Sequence, residues 1–370
     1  MVFKDLLVLE VSTVLAGPSV GMFFAELGAR VIKVEHPEFA DVTRTWKIAG
    51  EDKNSTVSAY FSSVNFQKEY MQFDLSDEDE FQDFIDILCQ ADILLTNFKK
   101  GDAEKFRLTD NLILKYNPRI IHGKINGFGA HSDRVAYDLI LQAESGFMSM
   151  NGAENSEPTK MPVALIDVLA AHQLKEGILC ALFERQQTNH GNIVEVSLYD
   201  AAISSLVNQA SAYLMENNVP KRMGSKHPSI APYGELFTTK DGATITFAIG
   251  SDKQFAKLVE FLGLYLFVTD PKFETNPVRV ENRVELAEKL QEKIKLHDSK
   301  TLLDWALENF VPCGKIKTLD EVFADEQAKK LIREEVINGK PTKRVTSVAF
   351  KTRLPFGYDY EGNKKSKKHH

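Results

Sequence analysis

Apolar runs alternate with helix-like segments along the first half of the chain, and this alternation limits the possible folds more than any other feature. It opens with a strand at Leu6–Val11, a helix at Ser19–Leu27 and a second strand at Ala29–Glu35. Further strands are expected at Tyr70–Leu75, Asp92–Phe98, Arg119–Asn126 and Ile193–Ser197. Because helical segments separate these strands, the pattern predicts an α/β domain whose mainly parallel sheet is covered by helices on both faces.

The longest helix is expected from Asp167 to about Gln187, with Gly191 as part of its stop. Its buried side is expected to consist of Val168, Leu169, Ile178, Leu179, Leu182 and Phe183. A helix at Tyr199–Met215 completes this large domain, which we assign to residues 1–215.

The pattern changes after residue 215. Val219–Ser229 is rich in proline and glycine and predicts a linker. A hairpin is expected over 237–249, where apolar residues alternate after an Asp-Gly turn. The helix Asp252–Leu262, with one apolar stripe, would pack on that hairpin. Residues 216–314 are therefore expected to form a linker and a smaller α+β domain.

The composition narrows the function classes. The 370 residues suffice for two domains, and a net charge of −7 argues against a surface that holds nucleic acid or anionic lipid. Cys89, Cys180 and Cys313 form no pair typical of a metal site or a disulfide framework, so we expect no metal and a reducing, cytoplasmic location. We predict no membrane span, and the closing residues Lys364–His370 are expected to be a solvated tail.

The first strand-to-helix connection is a candidate anion site, because unpaired N–H groups at a helix start favour phosphate; a simple tight turn is the alternative. Glu35 ends the second strand, where a nicotinamide dehydrogenase keeps its ribose-binding acid, although the glycine pattern is not the dinucleotide one. Several basic residues lie at or near strand ends and connections, where they could contact phosphates or simply face solvent. They are Arg30, Lys33, Arg44, Lys47, Lys99, Lys100 and Lys105.

Asp167 is a carboxylate among apolar residues at the expected start of the longest helix. A charge in that position is costly without partners, so it is either a helix cap or a carboxylate nucleophile. Asp138 and His131 could form an acid–base pair, although closeness in sequence does not place them together and loop packing is the favoured role of His131. Cys313 has no activating signature and is expected to be inert packing.

Taken together, these segments resemble the class III CoA-transferase family, which includes formyl-CoA and carnitine-CoA transferases. The resemblance runs from Val8 to about Ile332 and rests on many short motifs in order. They include Val14-Leu15-Ala16-Gly17-Pro18, Leu27-Gly28-Ala29-Arg30-Val31-Ile32-Lys33-Val34-Glu35, Asp41-Val42-Thr43-Arg44, Asn97-Phe98, Asn126-Gly127-Phe128-Gly129, Tyr137-Asp138-Leu139, Ser145-Gly146, Val196-Ser197-Leu198-Tyr199-Asp200 and Pro312-Cys313-Gly314.

The resemblance implies a CoA-transferase that moves CoA between an acyl-CoA thioester and a small free carboxylic acid. It places the catalytic aspartate at Asp167, which would form an acyl-aspartyl anhydride and then an aspartyl-CoA thioester. Coenzyme A would be a substrate, with no tightly bound cofactor. The CoA-binding residues carried over by position are Val14, Leu15, Ala16, His36, Phe73, Asp74, Asn97, Phe98, Lys105 and Tyr137.

The resemblance also implies a large Rossmann-like domain, completed by about 315–370, and a homodimer of interlocked chains. Leu15 stands where formyl-CoA transferases have glutamine, and 224–228 replaces their glycine-rich loop, which argues against formate or oxalate as the acid.

Three alternatives stay open. A related 2-methylacyl-CoA racemase uses a histidine with an aspartate that Asp138 matches, but its histidine would lie near Leu108–Leu112, where the chain has none. A non-catalytic CoA-binding protein and the nicotinamide dehydrogenase are the others.

Overall fold

The structure is a computed structural model that describes residues 2–352. The basic and histidine-rich tail Lys364–His370 lies outside the described residues. The chain divides into two compact units. The first consists of Lys160–Asn217 and the described parts of Met1–Phe147 and Lys329–His370, and the second of Met148–Thr159 and Asn218–Ala328.

The helices and strands follow in chain order. Up to residue 217 they are β1 (Leu7–Val11), α1 (Ala16–Glu26), β2 (Arg30–Glu35), α2 (Ala59–Ser62), β3 (Lys68–Gln72), α3 (Glu78–Leu88), β4 (Ile93–Thr96), α4 (Asp102–Lys105), α5 (Asp110–Tyr116), β5 (Ile121–Asn126), α6 (Asp138–Glu144), α7 (Phe147–Met150), α8 (Leu165–Thr188), β6 (Asn192–Ser197), α9 (Leu198–Ser204) and α10 (Val207–Glu216). Beyond it they are β7 (Tyr233–Thr238), β8 (Thr244–Ala248), α11 (Asp252–Phe261), α12 (Asn276–Glu281), α13 (Arg283–Ile294), α14 (Ser299–Glu308), β9 (Cys313–Lys315), α15 (Leu319–Ala324), α16 (Glu326–Lys329), β10 (Ile332–Ile337) and β11 (Lys340–Val345).

The first unit is built on a six-stranded sheet in the order β3-β2-β1-β4-β5-β6, with every neighbouring pair parallel. The strand order reverses between β1 and β4, and open α/β sheets bind ligands outside the carboxyl ends of the strands at such a point. The predicted fold class, an α/β protein with a large parallel sheet and a smaller α+β part, is confirmed.

Helix α8 buries only part of the side that was expected: Ile178 is fully buried, and Leu169 and Leu182 pack, partly buried, against the core. Val168, Leu179 and Phe183 are exposed, whereas the packed stripe is made of small and medium residues. It consists of Ile166, Ala170, Ala171, Leu174, Ile178 and Ala181. Small side chains let α8 approach the sheet and α1 closely, and the large apolar residues on the opposite side make the sequence pattern misleading.

The second unit contains the predicted hairpin as β7 and β8, joined through a turn in which Gly242 has φ 79°. A third strand, β9, pairs antiparallel with β8. Helix α11 buries Phe255, Leu258 and Val259 in this unit's own core, as its stripe predicts.

The hairpin β10–β11 belongs to the first unit and returns the chain to α1. Arg344 of β11 donates to Glu26 at the end of α1 at 2.5 Å, and the N–H groups of Ser347 and Val348 donate to the same carboxylate. In residues 2–352, no helix is both long and apolar enough to cross a bilayer.

Candidate active site

A cavity of about 730 Å³ opens at the carboxyl edge of the parallel sheet in the first unit. Its wall includes residues 13–16 at the start of α1, the end of β4 and the residues after it (96–101), most of the segment 126–138 after β5, and Asp167 of α8. A volume of several hundred Å³ is the ordinary size of a small-molecule or cofactor site.

Asp167 is the third residue of α8, and its side chain lines the cavity while only 8% of the residue is exposed. In the described part of the chain its carboxylate has no hydrogen-bonding side chain or ion-pair partner. Burial and the negative charge of Asp138 raise the pKa of Asp167 to about 7. The carboxylate is therefore poorly solvated when ionised, which makes it a better nucleophile than a carboxylate in water.

Asp138 begins α6 and binds the start of α8. Its Oδ1 accepts a 2.7 Å hydrogen bond from the backbone N–H of Ile166, and its Oδ2 accepts one of 2.7 Å from Gln142. Gln142 in turn accepts from the backbone N–H of Met161 at 2.8 Å. Asp138 thus satisfies a first-turn N–H of α8 that has no partner within the helix. The structure places neither a hydrogen bond nor an ion pair between Asp138 and His131, so it does not support the acid–base pair considered for them.

The β1–α1 connection is held from both sides. The amide of Asn97 accepts from the N–H of Thr13 at 3.1 Å and donates to the carbonyl of Thr13 at 2.9 Å. The N–H of Val14 donates to Asp41, and Val14 has φ 71°. A β-branched residue in this left-handed region costs about 1–3 kcal/mol and persists only where its surroundings impose it.

The cavity wall contains seven of the eleven predicted site residues: Val14, Leu15, Ala16, Asn97, Phe98, Tyr137 and Asp167. The other four, His36, Phe73, Asp74 and Lys105, lie outside the wall. His36 and Asp74 are 3.7 Å apart between Nε2 and Oδ1. Lys105 is close enough for its charge to help lower the pKa of Asp74, after the larger effect of hydrogen bonds from Ser76. His36, Asp74 and Lys105 thus form a polar group beside the ends of β2 and β3.

Several of the basic residues considered as phosphate contacts are engaged elsewhere. Lys33 is fully buried, which corrects the expectation of a solvated charge at a strand end. Arg30 pairs with Glu69 at the opposite edge of the sheet, and Lys47 donates to the carbonyls of Lys53 and Ser55. Of the seven, only Lys99 and Lys100 contribute to the cavity wall.

Glu35 is also occupied. Its carboxylate accepts from Arg44 at 2.9 and 2.6 Å and from the backbone N–H of Asp41 at 2.9 Å. These contacts hold the pKa of Glu35 below its ordinary value against the opposing effect of burial. This buried carboxylate is already engaged by three donors of the fold, which counts against a role in binding the ribose of a dehydrogenase cofactor.

Cys313 lies on β9 in the second unit and is half-buried. Burial raises the pKa of its thiol to about 12, so the thiol stays protonated at neutral pH. This agrees with inert packing.

Sequence reasoning missed a polar cluster on the cavity wall. His122 of β5 contacts Asp110 through Nδ1 at 2.8 Å and Thr96 through Nε2 at 2.9 Å. Lys124 donates to the second oxygen of Asp110 at 2.9 Å and lies 3.4 Å from Glu195. A signal is present, because His122 and Lys124 alternate with Ile121, Gly123 and Ile125 along the strand, but nothing in the sequence links them to Asp110.

Tyr60 of α2 was missed as well. Burial and the negative charges of Asp167, Asp138 and Asp41 raise the pKa of Tyr60 to about 12, so its hydroxyl keeps its proton at neutral pH. Its ring packs edge-on against Trp46, with 5.1 Å between centroids.

This fold and this site define a class of enzyme, and three comparisons agree on it. The model of CoA-transferase family III matches residues 3–359. A succinate–glutarate CoA-transferase of Agrobacterium fabrum is 34% identical, covering 86% of this chain and 81% of the relative. A succinyl-CoA:glutarate CoA-transferase of Homo sapiens is 32% identical, covering 86% and 73%. A solved CaiB/BaiF family protein from Brucella suis superposes with a TM-score of 0.81 at 35% identity, covering 94% and 92%.

The chain belongs to CoA-transferase family III, which confirms the family resemblance of its sequence. CoA transfer is the chemistry that its relatives have in common.

Proposed function

We propose that the protein transfers CoA between an acyl-CoA thioester and a free dicarboxylic acid, with Asp167 as the covalent nucleophile. The observation that carries the proposal is the carboxylate of Asp167, which is buried, unpaired in the described residues and part of the cavity wall. Burying such a group costs folding free energy, and strongly perturbed groups of this kind are concentrated at functional sites.

The first half-reaction begins with attack of an Asp167 carboxylate oxygen on the carbonyl carbon of the bound thioester. The carbon–sulfur bond breaks, CoA leaves as a thiolate, and an acyl-aspartyl anhydride forms. The thiolate then attacks the aspartyl carbonyl, which releases the donor acid and leaves an aspartyl-CoA thioester. The N–H of Ala16, at the start of α1 and on the cavity wall, is the candidate donor to the developing oxyanion.

The second half-reaction reverses these steps with the acceptor. Its carboxylate attacks the aspartyl-CoA carbonyl, CoA thiolate leaves again, and a new anhydride forms. The thiolate attacks the acceptor's carbonyl, which yields the product thioester and restores the Asp167 carboxylate. No outside energy source is needed, because a thioester or an anhydride is kept at every stage, and the cavity holds the reacting groups together.

CoA would lie along the wall with its thioester near Tyr137 and Asp167 and its pantetheine beside Asn97 and Phe98. The residues Val14, Leu15 and Ala16 would form the facing wall. His36, Phe73, Asp74 and Lys105 would contact the nucleotide, where Lys105 supplies positive charge to a phosphate.

A short dicarboxylic acid is the substrate class that the relatives support, since the enzymes from Agrobacterium fabrum and Homo sapiens are named for succinate or succinyl-CoA and glutarate. A homodimer and a cytoplasmic location remain predictions, and light scattering of the purified chain would measure the first.

Oxygen labelling tests the mechanism. The protein is incubated with succinyl-CoA and glutarate whose carboxylates carry ¹⁸O, and the peptide that contains Asp167 is analysed by mass spectrometry. The mechanism transfers one labelled oxygen from the acceptor to the Asp167 carboxylate. The Asp167→Ala variant should bind CoA and lose transfer, while Glu176→Gln, which changes an exposed charge on the same helix, should keep it.

Two results would count against the proposal: turnover by Asp167→Ala at the wild-type rate, or turnover without label at residue 167. CoA binding with no exchange across a panel of acids would instead identify a non-catalytic CoA-binding protein. Solvent deuterium at the α-carbon of a 2-methylacyl-CoA would identify a racemase.

A further inference from the structure

We propose that the buried ion pair of Lys33 and Asp41 positions the CoA site by holding Val14 in its left-handed backbone conformation. This rests on the proposed function, because it takes the wall formed by residues 14–16 as the place where CoA binds. Lys33 and Asp41 would act on the ligand only through the backbone of the β1–α1 connection, so both would be positioning residues.

Lys33 lies on β2 directly beside Glu10 of β1 and is completely buried. Its ammonium donates to the carbonyl of Ser12 at 2.7 Å and to Glu10 Oε1 at 3.2 Å, and lies 3.1 Å from Asp41 Oδ2. Three acceptors match the three protons of an ammonium group. One of them is the backbone carbonyl where β1 leaves the sheet, so Lys33 fixes the first residue of the connection.

Asp41 fixes Val14, the third residue of the β1–α1 connection. Its carboxylate accepts from the N–H of Val14 at 3.2 Å, and from the N–H and hydroxyl of Thr43 at 3.0 and 2.7 Å. The N–H of Asp41 is itself bound by Glu35 at 2.9 Å, and only 2% of Asp41 is exposed. The carboxylate can therefore neither turn away nor gain water without breaking several bonds.

The connection has little freedom left between these two contacts. Asn97 binds both the N–H and the carbonyl of Thr13. Helix α1 also packs directly on Glu10, the other carboxylate that binds Lys33. A Cβ added at Gly21 of α1 would come within 1.9 Å of Glu10 Oε2. Side chains from three different parts of the sheet edge thus determine a backbone conformation that valine does not prefer.

Stability by itself does not account for this arrangement. Replacing a buried ion pair by apolar side chains of similar volume is often neutral or stabilising, because desolvation offsets the attraction. The pair's distinctive contacts are with Ser12 and Val14, the backbone that leads into the cavity wall. We therefore infer that it serves the geometry of that wall.

The test uses Asp41→Asn, which keeps the side-chain volume and removes the charge. CoA affinity is measured by titration calorimetry, KM and kcat with succinyl-CoA, and Tm by thermal unfolding. Loss of the left-handed conformation should weaken CoA binding about tenfold, equivalent to about 1.4 kcal/mol. KM should rise accordingly while kcat changes less than threefold, equivalent to less than about 0.65 kcal/mol.

The decisive measurement adds Val14→Gly to Asp41→Asn. Glycine adopts a positive φ without steric cost, so the double variant should regain most of the lost CoA affinity although its Tm stays low. Lys33→Met should give the same pattern. If Lys33→Met fails to fold, the Asp41 variants carry the test alone.

Lys68→Met is the matched control. Lys68 is an equally buried lysine that binds Glu10, Asn65 and the carbonyl of Pro18, but no atom of residues 12–14. The Lys68→Met variant should lower Tm, but it should cause no loss of CoA affinity that Val14→Gly restores. Wild-type CoA affinity in folded Asp41→Asn, or a loss that Val14→Gly does not reverse, would overturn the inference. Failure of the wild-type protein to bind CoA would instead refute the proposed function.

Discussion

The carboxylate of Asp138 accepts a hydrogen bond of 2.7 Å from the backbone N–H of Ile166, the residue that precedes Asp167. Asp138 thereby fixes the first turn of α8, and its negative charge also adds to the burial that raises the pKa of Asp167. One acidic residue thus affects both where the proposed nucleophile sits and the pH at which it ionises.

The rate should depend on pH through Asp167. Only the ionised carboxylate attacks, so kcat/KM of the wild-type enzyme is expected to rise with pH and level off above about 7. Asp138→Asn keeps an oxygen for the N–H of Ile166 but removes the charge, and it should move the midpoint to lower pH by up to about one pH unit. A pH–rate profile measures both, with Glu176→Gln as the control. An unchanged midpoint in Asp138→Asn would show that its charge does not reach Asp167.

Asp167→Asn should stabilise the protein at neutral and alkaline pH. The pKa of Asp167 is raised from 3.8 to about 7 in the folded chain, so the folded state holds the proton more tightly than the unfolded state. Ionisation of Asp167 therefore lowers the free energy of unfolding as the pH rises from about 4 to about 7, by at most about 4 kcal/mol. Asparagine avoids this loss. Thermal unfolding should show a higher Tm for the variant at pH 8 and nearly equal values at pH 4; the same difference at both would refute the explanation.

Lys105→Ala should weaken binding of the CoA nucleotide. If Lys105 contacts a phosphate, removing its charge raises KM for an acyl-CoA by about tenfold, and added salt shrinks the difference from wild type. An acyl-pantetheine donor without the nucleotide should show no such difference. Lys115→Ala, at an exposed position on α5, is the control. Equal effects on both donors would place Lys105 outside the nucleotide site.

Arg185→Met should destabilise the first unit without changing the chemistry. The buried Arg185 of α8 donates to the carbonyls of Asp92 and Arg119 at 3.2 and 3.1 Å and to the carboxylate of Asp92 at 3.0 Å. Its loss removes these three hydrogen bonds, although the carbonyl of Asp92 keeps the N–H of Ile121, and should lower the free energy of unfolding by about 2–3 kcal/mol in urea titrations. The kcat per folded molecule should stay at the wild-type value. A comparable loss of stability in Lys300→Met, which removes an exposed ion pair, would contradict this reasoning.

The parallel sheet could be predicted because its strands are short apolar runs separated by helices, a local signal. Between β4 and β5 the chain forms two short helices, α4 and α5, rather than one, because Arg107 between them has φ 57°. The third strand of the small sheet, Cys313–Lys315, pairs with β8 across more than sixty residues of sequence. A three-residue strand carries no periodicity, so only the folded chain reveals it.

The position of Asp167 among apolar residues marks it as unusual from the sequence alone. Asp138 is visible in the same way, but its partner Ile166 contributes only a backbone N–H, which no side-chain pattern encodes. Lys33 looks like a charge at a strand end because the sequence does not say that Glu10 and Asp41 surround it. Pairings of this kind depend on strand register, which a single sequence leaves open.

The contact between Glu26 and Arg344 joins residues separated by more than three hundred positions. During synthesis on the ribosome, α1 emerges early, whereas β11 emerges only after every residue of the second unit has been translated. The six strands of the parallel sheet are therefore all synthesised well before the hairpin that binds the end of α1, and the first unit is completed only after the second has been made. A chain truncated before β10 should consequently lose more stability in the first unit than in the second.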